Sequence, residues 1–560
     1  MYRRSTTLVL VALAAALAVT PPAAGAQQRK VLRVAFPSED GSLTPYTFTN
    51  GYALMTLVYD TLSWRDAAGV ARPWLARSVH RTAGGRQIVV TLHRGVRWQD
   101  GRPLTSADVA FTFGYMKTHF NPRFTPQLRE LAGVRATGPL TVVFDLRAPA
   151  LGFEDQPLAD VPILPQHLWA KLPRGRLAPA GLPVGSGPYR LTRHVAGHSY
   201  RFRADPGYFR GRPAVDRIDV PIVPGQGDGI AGLQEDRYDM AAVPVPPGTA
   251  LQAPVTVRYT RADAYAGTVL AFDLTRPPFN EPQARRAVAA ALDLHEIAGA
   301  TSGPGSRTPA DRGMLHPRSR WAGSAVLHRA DPGAARVAFS ELGVGTFTVA
   351  ASVNDPVRLE AARRVVLALR DAGARARLAG LSPAALDRAM GADGTTAPTF
   401  DAAVVGSPAL ASYDPAFLRV AFGPPADAPL NDGGYRSARF GQLADAVDRA
   451  ASVPARRRAV ARELRLLARD LPVLPLFFGG ATFAYRPASY DGWVDVRGSG
   501  ILDKQSFLAG GEAGRAPLVP ATDPVDHSGD GQTSLAPFIV ALAAILVAGF
   551  GWALWRRRRS

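Results

Sequence analysis

Cysteine is absent from all 560 residues. That excludes disulfides, thiolate catalysis, cysteine–zinc sites and a lipid-modified N-terminal cysteine as a tether. No G-x-S-x-G or similar nucleophile motif is present, so a hydrolase has little support. No 20–50-residue repeat recurs. The ten histidines are scattered. His194 and His198 are four apart, but Gly197 and the β-rich neighbours argue against a helix that would place them on one face, so neither a metal nor a cofactor is expected. Asp526 to Gly531 has the look of a calcium loop, yet position twelve is Pro537 rather than Glu, and the segment reads as linker. Acidic residues are also in deficit, 46 against 65 basic, for a net charge of +19. Six positives sit at the ends (Arg3, Arg4, Arg556–Arg559), leaving about +13 between them. That excess favours anionic ligands or an anionic cell surface, although the preference for Arg over Lys also fits a codon bias. No compact basic run with interleaved aromatics occurs outside the tail, so nucleic acid is not an expected partner.

What is present begins with the two ends. Arg3-Arg4, an apolar run from Leu8 to Val19 and Ala24-Gly25-Ala26 have the order of a secretory leader spanning 1–26. Leu535 to Trp555 is apolar and long enough for a ~30 Å hydrocarbon core, and Arg556–Arg559 follow at once. A basic cluster beside a span stays cytoplasmic. The expectation is a single-pass chain: body 27–508 outside the cell, linker 509–533, transmembrane helix 535–555 and cytoplasmic tail 556–560. The body is long enough for two or three lobes.

Along the body, strands and helices are mixed, which gives an α/β or α+β class. Val31 to Phe36 reads as a strand ending at Pro37, and Ile88 to Leu92 as another leading to an Asp100-Gly101 turn. Thr105 with Asp108 has capping-box spacing at a helix start. Leu140 to Leu146 reads as a strand, and 283–297 as an Ala-rich helix. Phe440, Leu443, Ala444 and Val447 form one apolar helical face. A second helix opens near Pro454 and buries Val460, Leu464 and Leu467.

Several of these segments fall, in order, on one family. Tyr59-Asp60-Thr61-Leu62, the block from Leu92 to Val109 (LHRGVRWQDGRPLTSADV), Gly185-Ser186-Gly187-Pro188-Tyr189, and Phe272-Asp273-Leu274 with Pro277-Pro278-Phe279 carry the likeness. The chain resembles the family 5 solute-binding proteins of ABC importers, the oligopeptide, dipeptide and nickel class. The resemblance implies an α/β clamshell of the periplasmic-binding-protein type II. Lobe one would comprise about 31–45, 185–265 and 478–508, an extra domain 46–184, and lobe two 266–477. It implies a binding protein rather than an enzyme, with a small-molecule or peptide ligand and with ABC permease and ATPase subunits as partners.

Peptide-binding members hold the ligand's amino group with a carboxylate in lobe two, a few residues before a Pro. Here that position falls near Ala411, with no carboxylate. Asp414, before Pro415, is the candidate substitute, with Ser407 and Tyr413 beside it. Glu39, Asp40 and Tyr46, after the first strand, are further candidate cleft residues. Gly185 to Pro188 lacks the Gly-Lys-Ser/Thr of a phosphate loop, and Pro188 donates no N–H, so a tight chain crossing is expected there. The missing carboxylate leaves a tethered sensor or scaffold as the second functional expectation.

Overall fold

The computed structural model describes residues 30–508, apart from 38, 49–51, 224–225, 244–255, 303–306, 392–397, 425–427 and 429. The expected leader, linker, transmembrane helix and tail lie outside the described residues. Among the described residues, no helix is long and apolar enough to cross a membrane.

Two long strands, Arg258–Phe272 and Val473–Tyr485, pair antiparallel and carry the chain between two lobes. Their register slips between Asp263 and Gly267, opposite Gly480 and Phe478. An irregularity of this kind lets a strand bend and change sheet direction. On one side of the slip the sheet continues through Met240–Val243, Val31–Ala35, Arg217–Pro221, Ser199–Ala204 and Tyr189–Val195. On the other side it continues through Ala402–Ser407, Phe347–Ser352 and Ala376–Leu381. Period-two alternation sets which side chains face the core: Leu32 and Val34 are buried while Val31 and Arg33 are partly exposed.

An inserted domain occupies the chain between Val31–Ala35 and Tyr189–Val195. It is built on a four-stranded antiparallel sheet, Ala76–Thr82, Gln87–Leu92, Thr141–Leu146 and Leu131–Gly138. The helix Ser106–Thr118 packs on that sheet. Asp100-Gly101 is a turn in which Gly101 takes φ +89° and Asp100 accepts from the Arg102 N–H at 3.1 Å. Asp108 accepts from the Thr105 N–H at 2.9 Å, capping the helix, and from the Gln166 N–H at 3.0 Å, tying the helix to the next segment.

The cores show which parts move together. A single core joins Trp98, Phe113 and Phe144 of the insert to Leu32, Tyr189, Phe202 and Phe507 of lobe one. Lobe two has separate cores, one around Phe272, Phe279 and Val365 and another around Trp321, Phe440 and Leu464. Close-packed interiors move as units, so lobe one with its insert is one body and lobe two another. The seam inside the first body is tight. A Cβ on Gly185 would sit 1.9 Å from the Val58 carbonyl, and one on Gly187 2.4 Å from that of Leu57. The Gly187 N–H donates to Val58 at 2.7 Å, and the Gly185 N–H donates to Gln99 at 3.1 Å. These amides serve the crossing. Asp60 is buried at the same seam, accepting from Lys504 Nζ at 2.8 Å, Trp74 Nε1 at 2.9 Å and the Tyr208 hydroxyl at 3.0 Å.

Candidate functional site

A cavity of about 480 Å³ lies between the insert and lobe two. Phe120, Gln127, Arg129, Phe153 and Gln156 line it from the insert; Asp414, Phe417, Arg419, Asp448 and Arg456 line it from lobe two. The lobe-two wall comes from the short helices after Tyr413 and from the helices Ala438–Asp448 and Val453–Asp470.

Ion pairs cross the gap. Arg129 Nη1 lies 3.1 Å from Asp448 and 3.4 Å from Asp445. Asp155 lies 3.3 Å from Arg320 and 3.7 Å from Arg456. Within lobe two, Arg419 is 2.9 Å from Asp448. Burial pushes the Asp448 and Asp155 carboxyls up to about 6 despite these arginines. Glu463, fully buried behind the wall, is raised well above the usual carboxylate range, first by burial and then by Asp448, and neither of its oxygens has a hydrogen-bond partner among the described residues. The cavity lining itself sets three carboxyl groups, Glu130, Asp414 and Asp448, against three guanidinium groups, Arg129, Arg419 and Arg456.

Tyr413 belongs to lobe two, its carbonyl accepting from Trp321 Nε1 at 3.1 Å, but its side-chain hydroxyl bonds to the first body. Its hydroxyl lies 2.7 Å from Ser499 Oγ and donates to the Arg497 carbonyl at 3.2 Å. The Arg65 guanidinium sits 4.2 Å over its ring, and the Tyr265 ring, from the crossing strand, is 4.9 Å away. Burial pushes its hydroxyl up to about 12. Arg65 also donates to Gln156 Oε1 at 2.6 Å. Among the described residues that leaves Gln156 Nε2 without a partner, as is Gln127 Oε1, whose amide nitrogen donates to Asp160 at 2.7 Å.

The other candidate residues lie as follows. Asp414 lines the cavity, with its carboxylate paired to Arg456 and accepting from the Ala416 N–H at 3.1 Å. Ala411 is buried. Ser407 ends its strand opposite Gly267, beside the register slip. Glu39 lies 2.7 Å from His194 Nε2 and accepts from the Gly197 N–H at 2.8 Å, clasping the turn between two lobe-one strands. Asp40 is buried, its N–H donating to Tyr200 at 2.8 Å. Tyr46 donates to the His119 carbonyl at 2.8 Å and packs on Tyr115 and Trp169 inside the insert. Glu39, Asp40, Tyr46, Ser407 and Tyr413 are not among the residues lining the cavity; of the six candidates only Asp414 is. Among the described residues, no group of three His, Cys, Asp or Glu is placed to hold a metal ion.

Sequence reasoning missed Arg129, Gln156, Arg419, Asp448 and Arg456. One signal was available. Arg456 and Glu463 share the helical face of Val460 and Leu467, where charge signals a buried network rather than a solvated edge.

A fold of two bodies crossed by two strands, with a cavity between them, is that of a binding protein, and comparison agrees. The description "Bacterial extracellular solute-binding proteins, family 5 Middle" matches residues 70–428, and the chain belongs to this family. Protein XP55 of Streptomyces lividans is 27% identical over 407 residues, 70% of this chain and 73% of that protein. The oligopeptide-binding protein AppA of Bacillus subtilis is 24% identical over 319 residues, 53% of this chain and 59% of AppA. Among solved structures, the substrate-binding protein CtaP of Listeria monocytogenes superposes with TM-score 0.74 at 20% identity, covering 85% of this chain and 99% of CtaP. NikZ of Campylobacter jejuni in complex with Ni(L-His) gives 0.72 at 20%, covering 84% and 97%. Proteins of this family and fold bind substrates and are not enzymes.

Proposed function

We propose that this chain is the extracytoplasmic substrate-binding subunit of an ABC importer. It closes around a peptide-like or other small solute and delivers the closed form to a permease and its ATPase. The reading extends to the ends: leader 1–26 is removed, and helix 535–555 holds the body outside the cell membrane with tail 556–560 in the cytoplasm. It extends also to the lobe boundaries expected above, at about 45/46, 184/185, 265/266 and 477/478.

The observation that carries the reading is the pair of separately cored bodies joined by two strands, with a cavity between them. A solute that touches both walls has more contacts when the bodies are shut, and that difference shifts the population toward the closed form. The chemistry of the walls narrows the solute. Aromatic faces, an unpartnered amide oxygen and an unpartnered amide nitrogen suit a solute with peptide-type donors and acceptors. The balanced carboxyl and guanidinium groups of the lining suit one with both a cationic and an anionic end, held by the cluster rather than by Asp414 alone, which Arg456 already occupies.

Native mass spectrometry of the purified full chain in detergent tests the reading. The expected result is an added mass of a small solute, lost on collisional activation, and a raised melting temperature when that solute is added back. An unadorned chain whose melting temperature is unmoved by panels of dipeptides, tripeptides and amino acids contradicts it.

A further inference from the structure

The outer sheet face of lobe one carries a ladder of arginines. In strand register Arg190 is opposite Arg203, and Arg203 is opposite Arg217. In the next outward row Arg193 is opposite Arg201, Arg201 opposite Asp219, and Asp219 opposite Arg33. The alternate residues Leu191, Tyr200, Phe202 and Ile218 are buried on the core face, so these polar residues point the other way. Asp219 serves both Arg201 at 2.8 Å and Arg217 at 3.1 Å, and Asp239 serves Arg33 at 2.9 Å. Arg190, Arg193 and Arg203 have no ion pair or hydrogen bond from their side chains to any described residue. Like charges directly opposite on neighbouring strands repel. The arrangement therefore costs stability in the isolated body and is relieved by an anionic surface.

The described part of the chain ends at the edge of this face. Leu508 bridges to Pro213, and the Ala214 N–H donates to the Phe507 carbonyl at 2.8 Å. The Asp216 N–H donates to the Lys30 carbonyl at 2.9 Å. Lys30 and Leu508 thus both sit where the strand carrying Arg217 begins. In sequence, residues 509–533 and the apolar run 535–555 come next.

We propose that this arginine face rests on the anionic phospholipid headgroups of the membrane that holds the chain. The proposal rests on the anchoring reading above. The tether leaves from the edge of the face, so the 25-residue linker 509–533 keeps the arginines within reach of the bilayer, where lipid anions attract basic groups. Lobe one is then pinned, and lobe two hinges freely above it.

The absence of cysteine makes the test clean. Thr192→Cys places the single thiol between Arg190 and Arg193, and Arg377→Cys places one on the edge strand of lobe two. Each full-length variant is labelled with a fluorophore and mixed with vesicles of phosphatidylcholine, alone or with phosphatidylglycerol, that carry a headgroup quencher. The expected result is quenching at position 192 that needs phosphatidylglycerol and fades in high salt, with little at position 377. Arg190→Gln, Arg193→Gln and Arg203→Gln together lower the quenched fraction's binding constant on the order of a hundred-fold. Quenching equal at both positions, or unchanged by the triple substitution, overturns the proposal, the latter in favour of an acidic protein partner. Flotation separates the two readings. A chain that floats with neutral vesicles yet shows no charge-dependent quenching keeps its anchor and loses the face. One that floats only with phosphatidylglycerol, through the three arginines, keeps the face and loses the anchor. One that floats with neither loses both.

Discussion

Arg65 of the insert lies over the ring of Tyr413 of lobe two, 4.2 Å from guanidinium to centroid. This contact, with the tyrosine hydroxyl 2.7 Å from Ser499 Oγ, ties lobe two to the first body. A buried cation–π pair contributes roughly 1–2 kcal/mol. Tyr413→Ala is therefore expected to lower the closed-to-open ratio about ten-fold, read as a larger radius of gyration in small-angle scattering. Tyr413→Phe keeps the ring and stays closer to the parent. An unchanged radius in Tyr413→Ala contradicts the assignment of this contact to closure.

The ion pairs across the gap carry a pH dependence of definite sign. Asp448 and Asp155 ionise near 6 in the folded chain, above the ordinary carboxylate value. Between pH 4 and 6 the folded state holds protons that the unfolded chain has released. Their stabilising contribution is complete below about pH 4 and is lost as the pH climbs through 6. Asp445 acts oppositely: burial raises it, but the hydrogen bond and charge of Arg419 outweigh that and hold it down, so its contribution is lost on acidification. Asp448→Asn is expected to remove about 1 kcal/mol of pH dependence between pH 5 and 7, with the variant gaining on the parent as the pH rises. Thermal melts of both proteins across that range check this. Parallel curves would rule it out.

Lys504 and Asp60 are both fully buried and 2.8 Å apart. Removing one partner strands the other's charge, whereas removing both does not. Lys504→Met should cost about 3–5 kcal/mol in urea unfolding, and adding Asp60→Asn should return most of it. A double variant no more stable than the single would show that the pair's neighbours, not its charges, set the cost.

Gly185→Ala places a methyl 1.9 Å from the Val58 carbonyl, which must then move. The seam between insert and lobe one opens, and the expected result is a melting temperature lowered by many degrees. Gly197→Ala is the comparison: its added methyl meets nothing within 4 Å, and its φ of +70° leaves backbone strain alone. Equal losses in the two variants would refute the close-crossing account.

Much of the scaffold was legible because it is local. The turn at Asp100-Gly101, the cap by Asp108 and the faces of Ala438–Asp448 and Val453–Asp470 depend on nearest neighbours and helical period. The expected helix 283–297 is in fact two, Pro282–Ala291 and Leu294–Ser302, because the Asp293 carboxylate accepts from the His295 N–H at 2.8 Å and starts a new helix. The cavity was barely legible. Arg129 and Asp448 meet across 319 positions of sequence, and nothing in either neighbourhood announces the other. Asp414 was visible, but the arginine that occupies it comes from another helix.

The most direct test of the account is the distance between the two bodies in solution. Arg77→Cys on the insert and Arg377→Cys on lobe two give the cysteine-free chain two spin labels for pulsed-dipolar spectroscopy. The account predicts at least two distances in buffer, with the closed one growing when a tryptic casein hydrolysate is added. A single sharp distance, the same with and without hydrolysate, contradicts a hinged clamp that shuts on a peptide-like solute.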